Sequence, residues 1–437
     1  MSKAVILSTL LRLASMGSKF ILILFFAKLL KPAELGMYGL MAQTVNTCVM
    51  IAGMQFFLYS TREIAGADPE KQPAMVRDQA IYHSILYLIV LPLFLIVFIR
   101  DMLPWYLIGW FYLLVVVEHM SYELQRILVV FGKPVASNAI HLLRTGAWIY
   151  VTVPLMLVVS RLRHIDTVWL IWFTGSGSSV LVAIWMMRNR GWRKAWKQPI
   201  DWGWIKSGIR VAFHYIPGTI VLMLTALFDV YTLKAYAGKA VVGVYVFYAT
   251  IANIVVAFPE AGVATVMMPK ILREYAAGRM DGFNSMMKDF WKRLVLSVIV
   301  TSVFAGIAMM LALKFLDKGP VYRESLTAFW MLLFSTSMTS LSLWPHHHLY
   351  TRHHDKPLVM VSVLAIIPYV IMILLLVPRY GIIGAAISCV VLQTCNLLFK
   401  FALVRLIKDD PHKTHPEEGV LEVETIPSEL ENRWEES

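Results

Sequence analysis

Long apolar stretches, separated by short polar connectors, run along almost the whole chain. A helix of about 20 residues crosses about 30 Å of hydrocarbon, so stretches of this length predict membrane spans. The pattern predicts an all-α polytopic membrane protein with 12 transmembrane helices. The predicted spans are residues 5–26, 35–59, 80–99, 103–130, 135–159, 167–187, 211–228, 240–258, 294–313, 326–344, 358–377 and 382–404.

The composition agrees with this pattern. Of the 437 residues, 58% are hydrophobic and 16% are charged, and the mean hydropathy is +0.64. A soluble domain is usually about 45–50% apolar and about 25% charged. The spans leave no room for a large soluble catalytic domain, and no nucleotide-binding or hydrolase motif occurs. We therefore expect a protein that is not an enzyme, with no catalytic residues and no cofactor.

The net charge of +12 divides unevenly along the chain. Residues 408–437 contain ten acidic and three basic residues, so the rest of the chain is more basic than the total suggests. Basic proteins often bind nucleic acid. Here the bases lie within and beside apolar stretches, which favours membrane topology and anionic phospholipid as the explanation. The acidic tail, which also contains prolines, is predicted to be disordered.

Loop charges predict the orientation. Cytoplasmic loops carry an excess of lysine and arginine. With the N-terminus inside, the inner loops and their edges carry 19 such residues and the outer loops 11. Both termini are therefore expected in the cytoplasm, in agreement with an even number of spans.

The chain is predicted to divide into two related lobes. The first would cover residues 1–190 with six spans, and the second residues 207–407 with the other six. Between them, residues 191–206 mix bases with tryptophans, which is typical of a linker in the lipid headgroup region. The sequence A-x-x-G-x-Y occurs at 33–38 and again at 240–245, early in each lobe. Such parallel repeats commonly place a substrate between the lobes.

Polar residues inside the spans mark the candidate site, because each costs free energy unless it faces protein or water. In the first span Arg12 and Lys19 lie on one helix face, together with two serines. The stripe predicts a cationic cavity that receives an anion; the alternative is that these side chains reach towards the membrane interface. Further residues predicted to line the cavity are Gln43, Asn46, His141, Arg144, Arg210 and His214.

Acidic residues in the spans are candidates for ion coupling. Glu118, Asp229 and Glu260 are expected to bind H⁺ or Na⁺ and so link transport to an ion gradient. The alternative is that each carboxylate neutralises a base in a salt bridge. Histidines 346–348 do not indicate a metal site, since adjacent histidines converge poorly on one ion.

Three segments resemble a known family. Residues 27–39 (AKLLKPAELGMYG) resemble the first periplasmic turn of the polysaccharide (O-antigen type) flippases. Phe228-Asp229 followed by Gly243-Val244-Tyr245 resembles the start of their second half. Residues 379–386 (RYGIIGAA) resemble the entry to their last span. The superfamily of these flippases also contains multidrug exporters.

The resemblance implies a fold and a substrate. It implies two six-helix lobes in a V around a central cavity, in a bacterial inner-membrane protein. The implied substrate is an undecaprenyl-pyrophosphate-linked oligosaccharide, moved from the cytoplasmic to the periplasmic leaflet by alternating access. Arginine and lysine suit the pyrophosphate. The implied protein partners are a polysaccharide polymerase and a chain-length regulator.

Two other functions stay open from the sequence. A cation-coupled exporter of drugs or metabolites would have a cavity dominated by acids, and it would expel cationic dyes. A membrane polysaccharide polymerase or ligase would be an enzyme, which usually needs a sizeable external loop that these short connectors do not provide.

Overall fold

The structure is a computed structural model that describes residues 3–316, 322–352 and 354–407. The described ranges are almost entirely helical and contain no strand. The predicted acidic tail lies outside them. In chain order the helices are α1 (Lys3–Leu29), α2 (Pro32–Gly53), α3 (Phe57–Gly66), α4 (Gln72–Leu93), α5 (Ile96–Ile99), α6 (Ile108–Val130), α7 (Pro134–Leu142), α8 (Trp148–Val158), α9 (Ile165–Met187), α10 (Trp192–Ala195), α11 (Trp202–Ala252), α12 (Ile254–Pro259), α13 (Thr265–Ala276), α14 (Met280–Leu316), α15 (Leu326–Leu341), α16 (Leu343–Thr351) and α17 (Asp355–Leu406).

The helices confirm a multi-span membrane protein. Each of the twelve predicted spans falls largely in helix. Nine helical stretches of the described chain are long and apolar enough to cross a membrane, and two of these contain 50 and 51 residues. Large apolar side chains on the outside of the bundle are widely exposed, including Leu88, Val158 and Leu181. Such a surface is suited to lipid rather than to water.

Two of the long helices are each divided by one glycine. Gly238 in α11 has φ 84° and Gly381 in α17 has φ 53°. Both angles lie in the left-handed region, which glycine enters at little cost because it has no Cβ. The breaks fall between predicted spans seven and eight and between spans eleven and twelve. Each long helix is thus two antiparallel segments joined at a tight reversal.

The helices pack as two groups that meet along α2 and α11. In the first group α6 packs on α9 and α1 on α7; in the second, α15 packs on α17 and α12 on α14. The end of the bundle at which α2 begins is called the outer end. The opposite end, at which α2 finishes, is called the inner end. These names describe the fold and not the membrane side.

The predicted linker is held to the first group by buried charges. Arg77, at the start of α4, donates to the carbonyls of Ala195, Gln198 and Pro199. Asp78 accepts from Arg77 at 2.6 Å and from the Asp201 amide at 3.1 Å. Two linker tryptophans, at positions 196 and 202, are exposed as the interfacial prediction requires. The linker is therefore a docked segment of the fold and not a loose tether.

One linker tryptophan departs from the interfacial expectation. Trp204 packs edge-to-face on Phe56, with ring centroids 5.5 Å apart, and lies 5.6 Å from Tyr59. Gly208, one turn later, fits against the same two rings because it has no side chain. The start of α11 thus rests on α3 through aromatic contacts, which its amphipathic sequence alone did not reveal.

Candidate functional site

A cavity of about 770 Å³ lies between the two groups of helices. Its walls come from α1, α2, α6 and the turn before α8 on one side and from α11 on the other. The lining residues Asn46, Met50 and Asn253 are exposed and lie on the inner halves of their helices. The cavity is therefore reached from the inner end of the bundle.

The repeated A-x-x-G-x-Y sequence closes the outer end. A methyl group at Gly36 would collide with the Lys239 carbonyl oxygen, and one at Gly243 would collide with the Pro32 carbonyl oxygen. Each glycine thus allows its helix to touch the backbone turn of the other lobe. The two contacts are reciprocal, as expected where related lobes meet about a pseudo-twofold axis.

Polar and aromatic contacts reinforce this closure. The hydroxyls of Thr44 and Tyr231 are 2.5 Å apart. Lys234 donates to the carbonyl of Met102 at 3.0 Å, and the ammonium of Lys28 lies 3.7 Å from the centre of the Phe315 ring. All these contacts join the two lobes: those of Lys234 and Lys28 lie at the outer end, and that of Thr44 lies near the middle of α2.

Arg144 is placed in the cavity wall by a π-helical turn over Leu143–Ala147. Its guanidinium donates to Glu118 at 2.9 Å and lies 3.5 Å from the centre of the Tyr122 ring. Glu118 also accepts from Trp172 at 2.8 Å and from Ser176. Both charged side chains are buried. The pair is therefore internally neutralised, as the salt-bridge alternative for Glu118 required.

Lys19 is the cation best exposed to the cavity. It lies on α1, its side chain is exposed, and no ion pair within the described ranges involves it. Gln43 and Asn46 line the same cavity from α2, and the described residues offer neither amide a hydrogen bond. One ammonium and two amides thus face the open volume, a set that can hold a phosphate-type anion.

The other predicted cationic residues lie at or beyond the cavity wall. His141 Nδ1 accepts from the Arg144 guanidinium at 3.2 Å. Arg12 is exposed about two turns nearer the inner end than Lys19, and its Nε donates to Asn138 at 3.3 Å. Arg210 is exposed at the start of α11. The side chain of His214 lies outside the described part of the structure.

The predicted coupling acids have different surroundings. Asp229 lines the cavity and accepts hydrogen bonds from Tyr245 at 2.7 Å, Tyr369 at 2.5 Å and the Cys389 thiol at 3.4 Å. Glu260 is exposed on a π-helical turn away from the cavity. Asp229 and Glu118 both line the cavity and accept from three donors, but the donors to Asp229 are all neutral, whereas one donor to Glu118 is the charged Arg144.

Several polar groups at the site were missed from the sequence. Tyr245 is the last residue of the repeated motif, and Tyr369 and Cys389 come from α17, more than a hundred residues away. His83 and His119 form a second buried cluster, of which His119 belongs to the cavity wall. A histidine in an apolar span is itself costly, and this signal could have identified both.

The chain as a whole resembles known proteins. The model of one family, described as polysaccharide biosynthesis protein, matches residues 1–274. An inward-facing multidrug resistance MATE family transporter of the MOP superfamily is 13% identical with a TM-score of 0.71, covering 92% of this chain and 98% of that one. The lipid II flippase MurJ in an inward closed conformation is 12% identical with a TM-score of 0.70, covering 92% and 87%. No curated protein sequence matches the chain. The structural likenesses show that the chain has the same fold as these two proteins.

Proposed function

Because the chain belongs to the polysaccharide biosynthesis protein family, we propose that it is a flippase for an undecaprenyl-pyrophosphate-linked oligosaccharide. The observation that supports this most is the cavity itself. It presents the exposed ammonium of Lys19 beside the amides of Gln43 and Asn46, and it is closed at the outer end. A pyrophosphate carries negative charge that such a set attracts, whereas its polyprenyl tail can stay in the bilayer.

The proposed orientation gives the cavity a direction. With both termini in the cytoplasm of a bacterial cell, the inner end faces the cytoplasm, where the sugar would be loaded. Opening of the outer contact and closure of the inner end would then release it to the periplasmic leaflet. Asp229 is the proposed site for the coupling ion, H⁺ or Na⁺, because three donors hold one carboxylate against the cavity.

The roles of the other charged residues follow from their partners. Arg144 and His141 would shape the cavity wall and contribute to the electrostatic potential in the cavity. They would not bind the headgroup directly, because Arg144 is already paired with Glu118 and His141 with Arg144. Arg12 and Arg210, exposed towards the inner end, would attract the anion before it enters. Anionic phospholipid would bind the exposed linker bases, and a polymerase would receive the product.

A second candidate is a cation-coupled exporter of small drugs or metabolites. The carboxylates Glu118, Glu123 and Asp229 line the cavity and would suit cationic compounds. Two of them are engaged by arginines, however, and Asp229 by three neutral donors. Efflux of a cationic dye that inorganic pyrophosphate does not inhibit would favour this candidate over the flippase.

Replacing Lys19 with glutamine should weaken the binding of inorganic pyrophosphate by about 10- to 100-fold. A hydrogen bond to a charged group contributes about 1.5–3 kcal/mol, and about 1.4 kcal/mol corresponds to a tenfold change. Titration calorimetry on the full chain in lipid nanodiscs measures the dissociation constant.

The matched control is Lys71→Gln, which removes an exposed lysine outside the cavity. Its pyrophosphate affinity should equal that of the unchanged chain. Equal affinities for the Lys19→Gln and Lys71→Gln chains would refute a role for Lys19, and no measurable binding to the unchanged chain would refute the anion cavity.

A further inference from the structure

A buried polar cluster joins α4 and α6 at the cavity wall, to which His119 contributes. The rings of His83 and His119 meet edge to face with centroids 4.8 Å apart, and the Tyr87 hydroxyl is 2.5 Å from Nδ1 of His119. His83 and His119 are 6% and 2% exposed. Among the described residues the Nε2 atoms of both rings lack a hydrogen-bond partner. Unpaired buried nitrogens are rare, because each costs desolvation free energy.

One carboxylate of the cavity wall, that of Glu123, lies beside this cluster. Glu123 Oε1 accepts from Arg126 at 2.5 Å, and its Oε2 accepts from Gln79 at 2.7 Å. The same Oε1 is 3.9 Å from His119 Nε2, just beyond hydrogen-bond distance. Glu123 therefore lies between two groups that can carry positive charge, and it is bonded to only one of them.

The two competing groups differ in access to the cavity. The Arg126 side chain is 33% exposed and lines the cavity, with its guanidinium 3.5 Å from the centre of the Phe57 ring. His119 is buried, and its Nε2 edge faces Gly53, where an added methyl group would lie 3.1 Å from that nitrogen. Gly53 itself lines the cavity. The small residue thus leaves the nitrogen close to an aqueous route.

We propose that His119, Glu123 and Arg126 form a proton-binding site. When His119 takes up a proton, the Glu123 carboxylate exchanges its ion pair with Arg126 for one with the His119 imidazolium. The proton comes from a hydronium ion that enters the cavity: one O–H bond of that ion breaks, one N–H bond forms on His119, and a water molecule is released. The Tyr87 hydroxyl accepts from Nδ1–H of the charged ring, and Nε2–H donates to Glu123. Loss of the proton returns Glu123 to Arg126.

The surroundings favour one proton and not two. Among the described residues, the titratable or charged groups facing His119 are His83 and Tyr87 on α4 and Glu123 and Arg126 on α6, whereas α2 presents only Gly53. Glu123 stabilises a charge on His119, and His83 and Arg126 oppose it. Two charged rings 4.8 Å apart would repel each other, so the histidine pair holds a single added proton.

The exchange has a consequence for transport, and this step rests on the proposed function. When Arg126 is released from Glu123, its positive charge becomes available in the cavity, where Lys19 is otherwise the exposed cationic side chain. Anion binding and proton binding would then favour each other, because coupling between two sites is reciprocal. A proton entering from the cavity would thereby prepare the site for a negatively charged headgroup.

The backbone beside the cluster is unusual. After Gly53 the chain turns through Met54 and Gln55, whose φ angles are 44° and 57°. Residues other than glycine rarely adopt this left-handed backbone conformation, and backbone strain of this kind is often found at switch regions. The joint between α2 and α3 therefore lies directly against the ring that takes up the proton.

The test follows both partners of Glu123 in the full chain, reconstituted in nanodiscs and labelled with ¹⁵N on histidine and arginine side chains. Nuclear magnetic resonance between pH 4 and 8 should show His119 gaining one proton, with its signal assigned by its loss in His119→Gln. The Arg126 signal, assigned in Arg126→Lys, should change over the same pH range. In Glu123→Gln the Arg126 signal should no longer respond.

The control is His164→Gln, because His164 is exposed and pairs with Asp166 at 3.2 Å away from the cluster. This variant should leave both titrations unchanged. The proposal is overturned if His119 stays neutral throughout, or if the Arg126 signal stays constant while His119 titrates. If the coupled titration is present but pyrophosphate fails to bind at any pH, the proton site stands and the proposed function fails.

Discussion

Replacing Arg144 with alanine is expected to lower the free energy of unfolding by about 3–5 kcal/mol, because it strands the buried carboxylate of Glu118. In the folded chain Glu118 is 4% exposed and receives the guanidinium at 2.9 Å. Trp172 and Ser176 would still donate to it, but two neutral donors do not replace a full charge. Reversible unfolding in mixed detergent micelles, followed by circular dichroism, measures the difference.

The double variant Glu118→Gln with Arg144→Met should recover a large part of this loss, since it removes both buried charges together. The control is Lys194→Ala, which breaks an exposed ion pair with Glu70 and should leave stability unchanged. A cost for Arg144→Ala no greater than that for Lys194→Ala would show that the buried pair does not stabilise the first lobe.

Replacing Gly36 with valine is expected to shift the protein away from the arrangement in which the outer end is closed. The new side chain would enter the space of the Lys239 carbonyl, a backbone atom that cannot turn aside. Overpacking costs about 1–3 kcal/mol, so the ratio of closed to open forms should fall by about 5- to 150-fold. Spin labels at the exposed outer positions Tyr106 and Tyr236 report the interlobe distance.

The matched control is Gly177→Val, a glycine in the helix α9 with open space where a side chain would lie. Its distance distribution should match that of the unchanged chain. The reciprocal contact also predicts that Gly243→Val acts in the same direction as Gly36→Val. A Gly36→Val chain that keeps the short distance would contradict closure through the glycine pair.

Much of the fold could be predicted because the bilayer constrains each membrane span through the residues of that span alone. A helix must satisfy its own backbone in lipid, so length and apolarity mark the spans, and each predicted one falls largely in helix. The repeat at Gly36 and Gly243 also indicated two related lobes. That these glycines would touch the opposite lobe was not predictable, because a repeat encodes similarity and not contact.

The site was harder to predict because the role of a charged side chain depends on which groups lie next to it in the fold. Arg144 was expected as a cavity cation, but it meets Glu118, which lies 26 residues earlier in another helix. Lys19 and Arg12 occupy the same face of α1, yet only Lys19 lines the cavity. Helical periodicity places residues on a face, whereas the depth and neighbours of each side chain depend on the packing of distant helices.

The buried histidines show the same limit. His83 and His119 lie 36 positions apart, and no spacing rule connects them. Their significance comes from Glu123, which is paired with Arg126 three positions further along α6. His119 lies one turn earlier on the same helix, 3.9 Å from the same oxygen, but its burial against His83 depends on the position of α4 and cannot be read from the spacing.

The central claim is that the cavity around Lys19 carries an anionic lipid headgroup from one leaflet to the other. The most direct measurement is the rate at which a labelled undecaprenyl-pyrophosphate-linked oligosaccharide reaches the opposite leaflet of proteoliposomes containing the full chain, under an imposed proton or sodium gradient. We expect a rate well above that of protein-free liposomes, reduced about 10- to 100-fold in Lys19→Gln and unchanged in Lys71→Gln. A rate equal to that of protein-free liposomes under both gradients would contradict the claim.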